Sequence, residues 1–280
     1  MFLPLGDDID KRSLPAIGCL LIGANVLTFV YEARLLHESL PSGIAFIEAW
    51  GLVPAGLKEG RFQTLFSSMF LHGDIFHLLG NMLMLWAFVG TLERALGPIK
   101  FLALYLLWGV IAGLAHASME WGSTVPMIGA SGAISGMIGA YFVAFGALTN
   151  IRTLIWFFRP FKVNIPAGAF VFVWVLDQLF GMQAAQEMGE NSIAWYAHAG
   201  GFVAGALTML IFAGEIKRSL VLGSDGMVHF EQKVKAVIVE EAPVASACTY
   251  CGIALEDEHA MHESLFRCPN PMCGRLVYLS

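Results

Sequence analysis

Charge is what this sequence has least of. Only 14% of its 280 residues are Asp, Glu, Lys or Arg, against about a quarter in an ordinary soluble domain, which excludes a water-soluble globule as the main body of the chain. Basic runs are missing as well: with a formal net charge of -6 and no Lys/Arg-rich stretch, there is no phosphate-binding patch, and nucleic acid is not an expected partner. The opening MFLPLGDDIDKRSLP has its acids ahead of Lys11 and Arg12 and no A-x-A-like cleavage site, so a removable leader is not expected. Cysteine is nearly absent before the last 33 residues, where only Cys19 stands alone in an apolar run; such a cysteine packs as a small apolar filler. What fills the chain instead is apolar: 57% of residues, with a mean hydropathy of +0.67. The lipid bilayer is therefore its expected surroundings, and the class is an all-α polytopic membrane protein.

Runs of about 20 apolar residues, enough to cross the hydrocarbon core, occur six times, near Leu14–Tyr31, Ile75–Thr91, Ile99–Met119, Ser131–Leu148, Pro166–Phe180 and Ile193–Phe212. The connection from Glu32 to Asp74 is long and contains Trp50, Pro54 and the amphipathic RFQTLFSSMFLHG, which predicts a folded loop at the interface. Basic residues set the orientation. Arg94 and Lys100 follow the second span, Arg152, Arg159 and Lys162 the fourth, and Lys217 and Arg218 the sixth, while the loops after the third and fifth hold none. By the positive-inside rule both termini are expected in the cytoplasm.

That topology places particular residues at one depth. The second, fourth and sixth spans run from outside to inside, so His77, Asn81, Ser131 and His198, all near their starts, share a layer beneath the outer surface. Polar groups in a bilayer are costly and tend to be paired or functional. Ser131 lies in PMIGASGAISGMIGAY, where two readings meet: Gly136 and Gly139 as close-packing positions between helices, and Gly129 to Gly132 as a tight turn presenting an oxygen nucleophile at a helix start. A serine hydroxyl needs a base, and His198, followed by Gly201 and Gly205, is the best placed. His77 and Asn81, at i and i+4, share a helix face and can donate to a developing oxyanion, with the amide of Ser131 as a further donor. Ser135, one turn deeper, is the rival nucleophile, and Asp177, an acid near a span end, reads as solvated, with orientation of His198 as a third member the lesser alternative. His72 reads as an ordering residue of the loop and His116 as interfacial.

The pattern resembles the rhomboid family of intramembrane serine proteases over most of residues 14 to 214. The family's GxSG is matched by Gly129-Ala130-Ser131-Gly132, its HxxxN by His77 to Asn81, its histidine with spaced glycines by His198, Gly201 and Gly205, and its ExxxG by Glu93 and Gly97. Gln63-Thr64 stands where a Trp-Arg pair is common in the family's first loop. The resemblance implies a six-transmembrane-helix bundle, a Ser131/His198 dyad with no required acid, and an oxyanion site of His77, Asn81 and the Ser131 amide. It implies no catalytic cofactor, cleavage of other proteins' transmembrane segments near the outer membrane face, and a fifth span that gates access from the bilayer. The expected setting is the plasma membrane of a bacterium. A non-catalytic relative that binds client transmembrane helices is the alternative; a transporter or channel is disfavoured because the polar residues cluster on one side.

After Gly214 the chemistry changes. Residues 215–247 form a linker in which Asp225-Gly226 marks a hairpin between alternating stretches. Residues 248–280 then carry CTYC, sixteen residues, and CPNPMC. Two cysteine pairs at this spacing resemble a zinc ribbon, with Cys248, Cys251, Cys268 and Cys273 as ligands of a structural zinc and His259 or His262 as substitutes. A disulfide framework is the alternative, disfavoured on a reducing cytoplasmic side. Residues 1–13 are the expected cytoplasmic N-terminal segment, and a cytoplasmic protein partner is the expected ligand of the tail.

Overall fold

The computed structural model describes residues 2–9, 14–146, 148–156, 159–187, 195–218, 220–222, 228–230, 260–262, 265–267 and 276–278. They fall in two compact units, Met1–Glu231 and Gln232–Ser280. In the first, strand β1 (Phe2–Asp7) precedes helices α1 (Ala16–Glu38) and α2 (Leu40–Trp50), the short α3 (Thr64–Ser67), and α4 (Ile75–Leu96), α5 (Pro98–Met119) and α6 (Ser131–Phe145). Strands β2 (Asn150–Trp156) and β3 (Pro160–Pro166) follow, then α7 (Ala167–Glu187), α8 (Trp195–Arg218), β4 (Leu220–Leu222) and β5 (Val228–Phe230).

Among the described residues, four helices are long and apolar enough to cross a membrane: α1, α4, α5 and the stretch Trp195–Phe212 of α8. The predicted fourth and fifth spans correspond to shorter apolar helices, Ser131–Phe145 and Ala167–Gln178. The first ends early because Gly146 and the strand beginning at Asn150 take the chain away from helix. Its fifteen residues rise only about 22 Å, and twelve of them are buried. Helix α6 is thus sheathed by protein, packing most extensively on α8 and also on α5 and α4.

Glycines make that sheath tight. A methyl group built on Gly139, Gly201 or Gly205 would overlap the backbone carbonyl of Phe202, Gly132 or Gly136 respectively, so the backbones of α6 and α8 touch. Trp108 of α5 packs against Gly136 and donates its indole N–H to Thr208 Oγ1 of α8 at 2.8 Å.

The start of α1 is capped from outside its own sequence. Pro15 offers no side-chain cap and the first turn carries no acid; the buried carboxylate of Glu93, from α4, accepts from the amides of Ile17 at 3.1 Å and Gly18 at 3.0 Å. An anion at a helix N-terminus satisfies orphan donors and meets the positive end of the dipole. Four residues on, Gly97 at φ +79° ends α4 and leads into Pro98 at the head of α5, a positive-φ conformation that suits glycine.

The all-α expectation needs correction at one end of the bundle. Strands β1, β2 and β3 form an antiparallel sheet in that order, pairing Phe2 with Ile155 and Asn150 with Pro166. The segment expected to be a plain basic loop is therefore a hairpin, favoured by its β-branched alternation, and the N-terminal segment is its third strand. Buried Asp7 anchors it, accepting from Thr91 of α4 and, at 2.8 Å, from Tyr141 of α6. Strands β4 and β5 pair antiparallel, Leu220 with Phe230; Asp225-Gly226, the expected turn, lies outside the described residues. The second unit holds an antiparallel sheet, β6 (Ala260–His262), β7 (Leu265–Arg267) and β8 (Leu276–Tyr278). Cys248, Cys251, Cys268, Cys273 and His259 lie outside the described residues; among the described residues no three His, Cys, Asp or Glu side chains form a metal-binding cluster.

The long connection after α1 is folded, as its aromatic content predicts, into α2, a 3-10 turn over Pro54–Glu59, α3 and a second turn over Ser68–Phe70. Arg61 Nη2 donates to the carbonyls of Glu48 at 2.6 Å and Ala49 at 2.8 Å, and Ser67 Oγ to that of Trp50 at 2.6 Å. A two-bond bridge between Leu52 and Met127 fastens this loop to the segment leading into α6.

Candidate active site

The site begins at a cap. Asp74 Oδ1 accepts from the amides of Phe76 at 2.7 Å and His77 at 3.0 Å, which holds its carboxyl below the usual range and fixes the first turn of α4. His77 and Asn81 then face a cavity of about 940 Å³ that also reaches Ser131, His198 and Gln178. His72 is fully buried behind them, with Nε2 2.9 Å from Asn81 Nδ2. Burial, aided by the neighbouring His77, pushes the His72 imidazole down to about 4. A neutral ring can accept from the amide, so the loop histidine orients Asn81 and leaves its second N–H for the cavity.

Gly129 sets the approach to α6. Its φ of +123° is a conformation L side chains rarely adopt, and a Cβ there would lie 2.8 Å from the His77 ring. Its N–H donates to the Ser68 carbonyl at 2.8 Å, tying the turn to the folded loop. Two residues on, Ser131 is the first residue of α6, where the leading amides have no intrahelical acceptor. Ser131 Oγ is 2.8 Å from His198 Nε2. Ser135, the rival, donates its hydroxyl to the Ser131 carbonyl at 2.7 Å and is buried. A serine bonded back along its own helix is a packing feature.

One polar residue differs from expectation. His116 is not interfacial: it is 7% exposed and lines the cavity. Asp177 does not reach His198. Its neighbour Gln178 does, with Oε1 2.6 Å from His198 Nδ1, while Asp177 Oδ2 accepts from Gln178 Nε2 at 3.2 Å. The reading of the sequence passed over Gln178, although a carboxamide inside an apolar span is itself a signal. Trp195 stands edge-on to the His198 ring, centroids 5.9 Å apart, and limits its rotation.

The chain matches the Rhomboid domain over residues 59–215. It belongs to the rhomboid family. Among relatives of this rhomboid, the chain is 31% identical over 176 residues to the rhomboid protease GluP of Bacillus subtilis, covering 61% of this chain and 32% of that protein. It is 28% identical over 191 residues to rhomboid protein 1, mitochondrial, of Saccharomyces cerevisiae, covering 67% of this chain and 50% of that one. It is 37% identical over 123 residues to the human presenilin-associated rhomboid-like protein, mitochondrial, covering 43% and 30%. The chain thus spans between about a third and a half of the length of these relatives.

Proposed function

We propose that this rhomboid is a serine endopeptidase that cuts transmembrane segments of other membrane proteins within the bilayer. The reading rests on one observation above all: a serine at the head of a helix, its Oγ 2.8 Å from an imidazole nitrogen, inside a cavity that also holds Asn81 and His77. Ser131 Oγ attacks the peptide carbonyl as His198 Nε2 takes its proton. His198 then returns that proton to the leaving amine, an acyl-enzyme remains on Ser131, and water attacks in the same manner to release it. The oxyanion is met by the Ser131 amide, Asn81 Nδ2 and His77, donors already aimed before charge develops. No cofactor enters these steps. Cleavage near the outer face, with both termini cytoplasmic, follows from the basic residues at the inner ends of the second, fourth and sixth spans; with relatives in a bacterium and in mitochondria, the same geometry suits either membrane.

In the tail, Cys248, Cys251, Cys268 and Cys273 are read as ligands of one structural zinc, since short strands with cysteines beside them gain their stability from such a metal. Cys268 directly follows β7 and Cys273 shortly precedes β8.

The deciding experiment incubates purified chain with a substrate bearing one transmembrane segment. Cleavage is expected for the natural sequence and none for Ser131→Ala at equal folding. Cleavage unaffected by that substitution would leave the nucleophile unassigned and favour a client-binding relative without catalytic use of Ser131.

A further inference from the structure

The catalytic histidine carries a second contact whose polarity is determined by a third residue. His198 Nδ1 lies 2.6 Å from Gln178 Oε1, and a carboxamide oxygen can only accept, so the ring proton sits on Nδ1. Nε2 is then the bare nitrogen, and it is the one 2.8 Å from Ser131 Oγ. The amide itself has two orientations, and Asp177 selects between them. Gln178 Nε2 donates to Asp177 Oδ2 at 3.2 Å, whereas the turned amide would set its oxygen against that carboxylate. A directional chain runs from Asp177 through Gln178 and His198 to Ser131. Each link fixes the tautomer or orientation of the next.

We infer that Gln178 is a positioning residue that completes a Ser131–His198–Gln178 triad, and that because it rides on α7, the base is competent only while α7 is seated against α6 and α8. Helix α7 packs on α6 and α8 far less extensively than those two pack on each other; Trp174, stacked on Phe202 at 5.9 Å, is one of its few aromatic holds. Withdrawal of α7 removes the acceptor at Nδ1 and frees His198 to adopt the tautomer that cannot take the Ser131 proton. The inference rests on the serine-protease reading. His77 from α4 and His116 from α5 are the titratable groups that otherwise face His198, with Asp177 behind Gln178 on α7.

Two variants and two readouts test it. Gln178→Leu keeps the bulk and removes the acceptor; kcat on the transmembrane substrate should fall about 100-fold, the lower end of what a positioned base contributes, with KM little changed. Phosphonylation of Ser131 by a small fluorophosphonate, which needs no substrate helix, should slow in parallel. Gln178→Glu restores an acceptor as a carboxylate, which favours the protonated ring; it should recover most of the activity while the acidic limb of the kcat/KM profile moves to higher pH. A purely structural role for Gln178 would not move that limb. Gln178→Leu at the natural rate in both assays, or Gln178→Glu with an unchanged pH profile, overturns the inference. If Gln178→Leu does not fold, the Gln178→Glu profile decides. A natural chain that neither cleaves nor is phosphonylated overturns the protease reading and this inference with it; one that is phosphonylated at Ser131 while Gln178→Leu is unimpaired overturns this inference alone.

Discussion

Around Ser131 the direction each polar side chain faces is set by a partner on another element. His72 holds Asn81, Gln178 holds His198, and Gly129 leaves room for His77. Asn81→Ala therefore has two separable effects. Loss of one oxyanion donor should lower kcat on the order of 100- to 1000-fold, and the His72 nitrogen left unpaired in a buried site should cost about 1–3 kcal/mol of stability. Turnover and a detergent melting curve measure the two; near-normal turnover would remove Asn81 from the site. That Ser131, His198, His77 and Asn81 gather around one cavity was legible in the sequence, because each sits near the start of its apolar run and alternate runs are expected to lie parallel. Gln178 was not, since whether a residue on α7 reaches His198 depends on the rotation of that helix about its axis. The sequence drew attention to the acid at 177 only to discount it as a solvated span-end charge, and the neutral amide at 178, which makes the contact, went unweighed.

At the scale of elements, the α6–α8 seam tolerates no Cβ at its tightest points. Because the clash partner of Gly205 is the backbone of Gly136, Gly205→Ala cannot be relieved by a rotamer change and should destabilise the bundle by about 1–3 kcal/mol or more, parting Ser131 from His198 as well. Gly23 of α1 meets nothing within 4 Å, so Gly23→Ala is the matched control and should be neutral or slightly stabilising. Unfolding midpoints for the two variants check this; equal midpoints would show that the helices part at no cost. The glycine spacing that predicts this seam is local, and so is the presence of the helices, which follows from apolar runs; their ends are not, since α1 runs on to Glu38 past Tyr31 and α6 stops at Phe145. The sheet was not local. Strand β1 pairs with residues more than 140 positions away, Phe2 with Ile155, and nothing in the pattern of MFLPLGDDID names its partner. Likewise Glu93 reads as the family's ExxxG acid, but that it caps α1 follows only from the fold.

For the whole molecule, the two units make separate claims on chemistry. If the tail is a zinc ribbon, metal analysis of the full chain should find about one zinc per chain, lost in Cys248→Ser combined with Cys251→Ser while cleavage by Ser131 persists. A metal-free natural chain would overturn the ribbon. The first unit, by contrast, needs its first residues: Asp7 is bonded to both α4 and α6, the helices that carry Asn81 and Ser131.

The shortness of α6 bears on how the bilayer meets this protein. A helix rising about 22 Å cannot fill a hydrocarbon slab of about 30 Å, and a lipid-facing helix of that length would suffer hydrophobic mismatch. Sheathed on most sides by other helices, α6 turns little besides the exposed Phe142 outward. The shortfall of about 8 Å therefore need not strain the bilayer, and Ser131, the first residue of α6, opens on the cavity of about 940 Å³. For the proposed hydrolysis at Ser131, the question is then how water fills that cavity, not how it crosses oil.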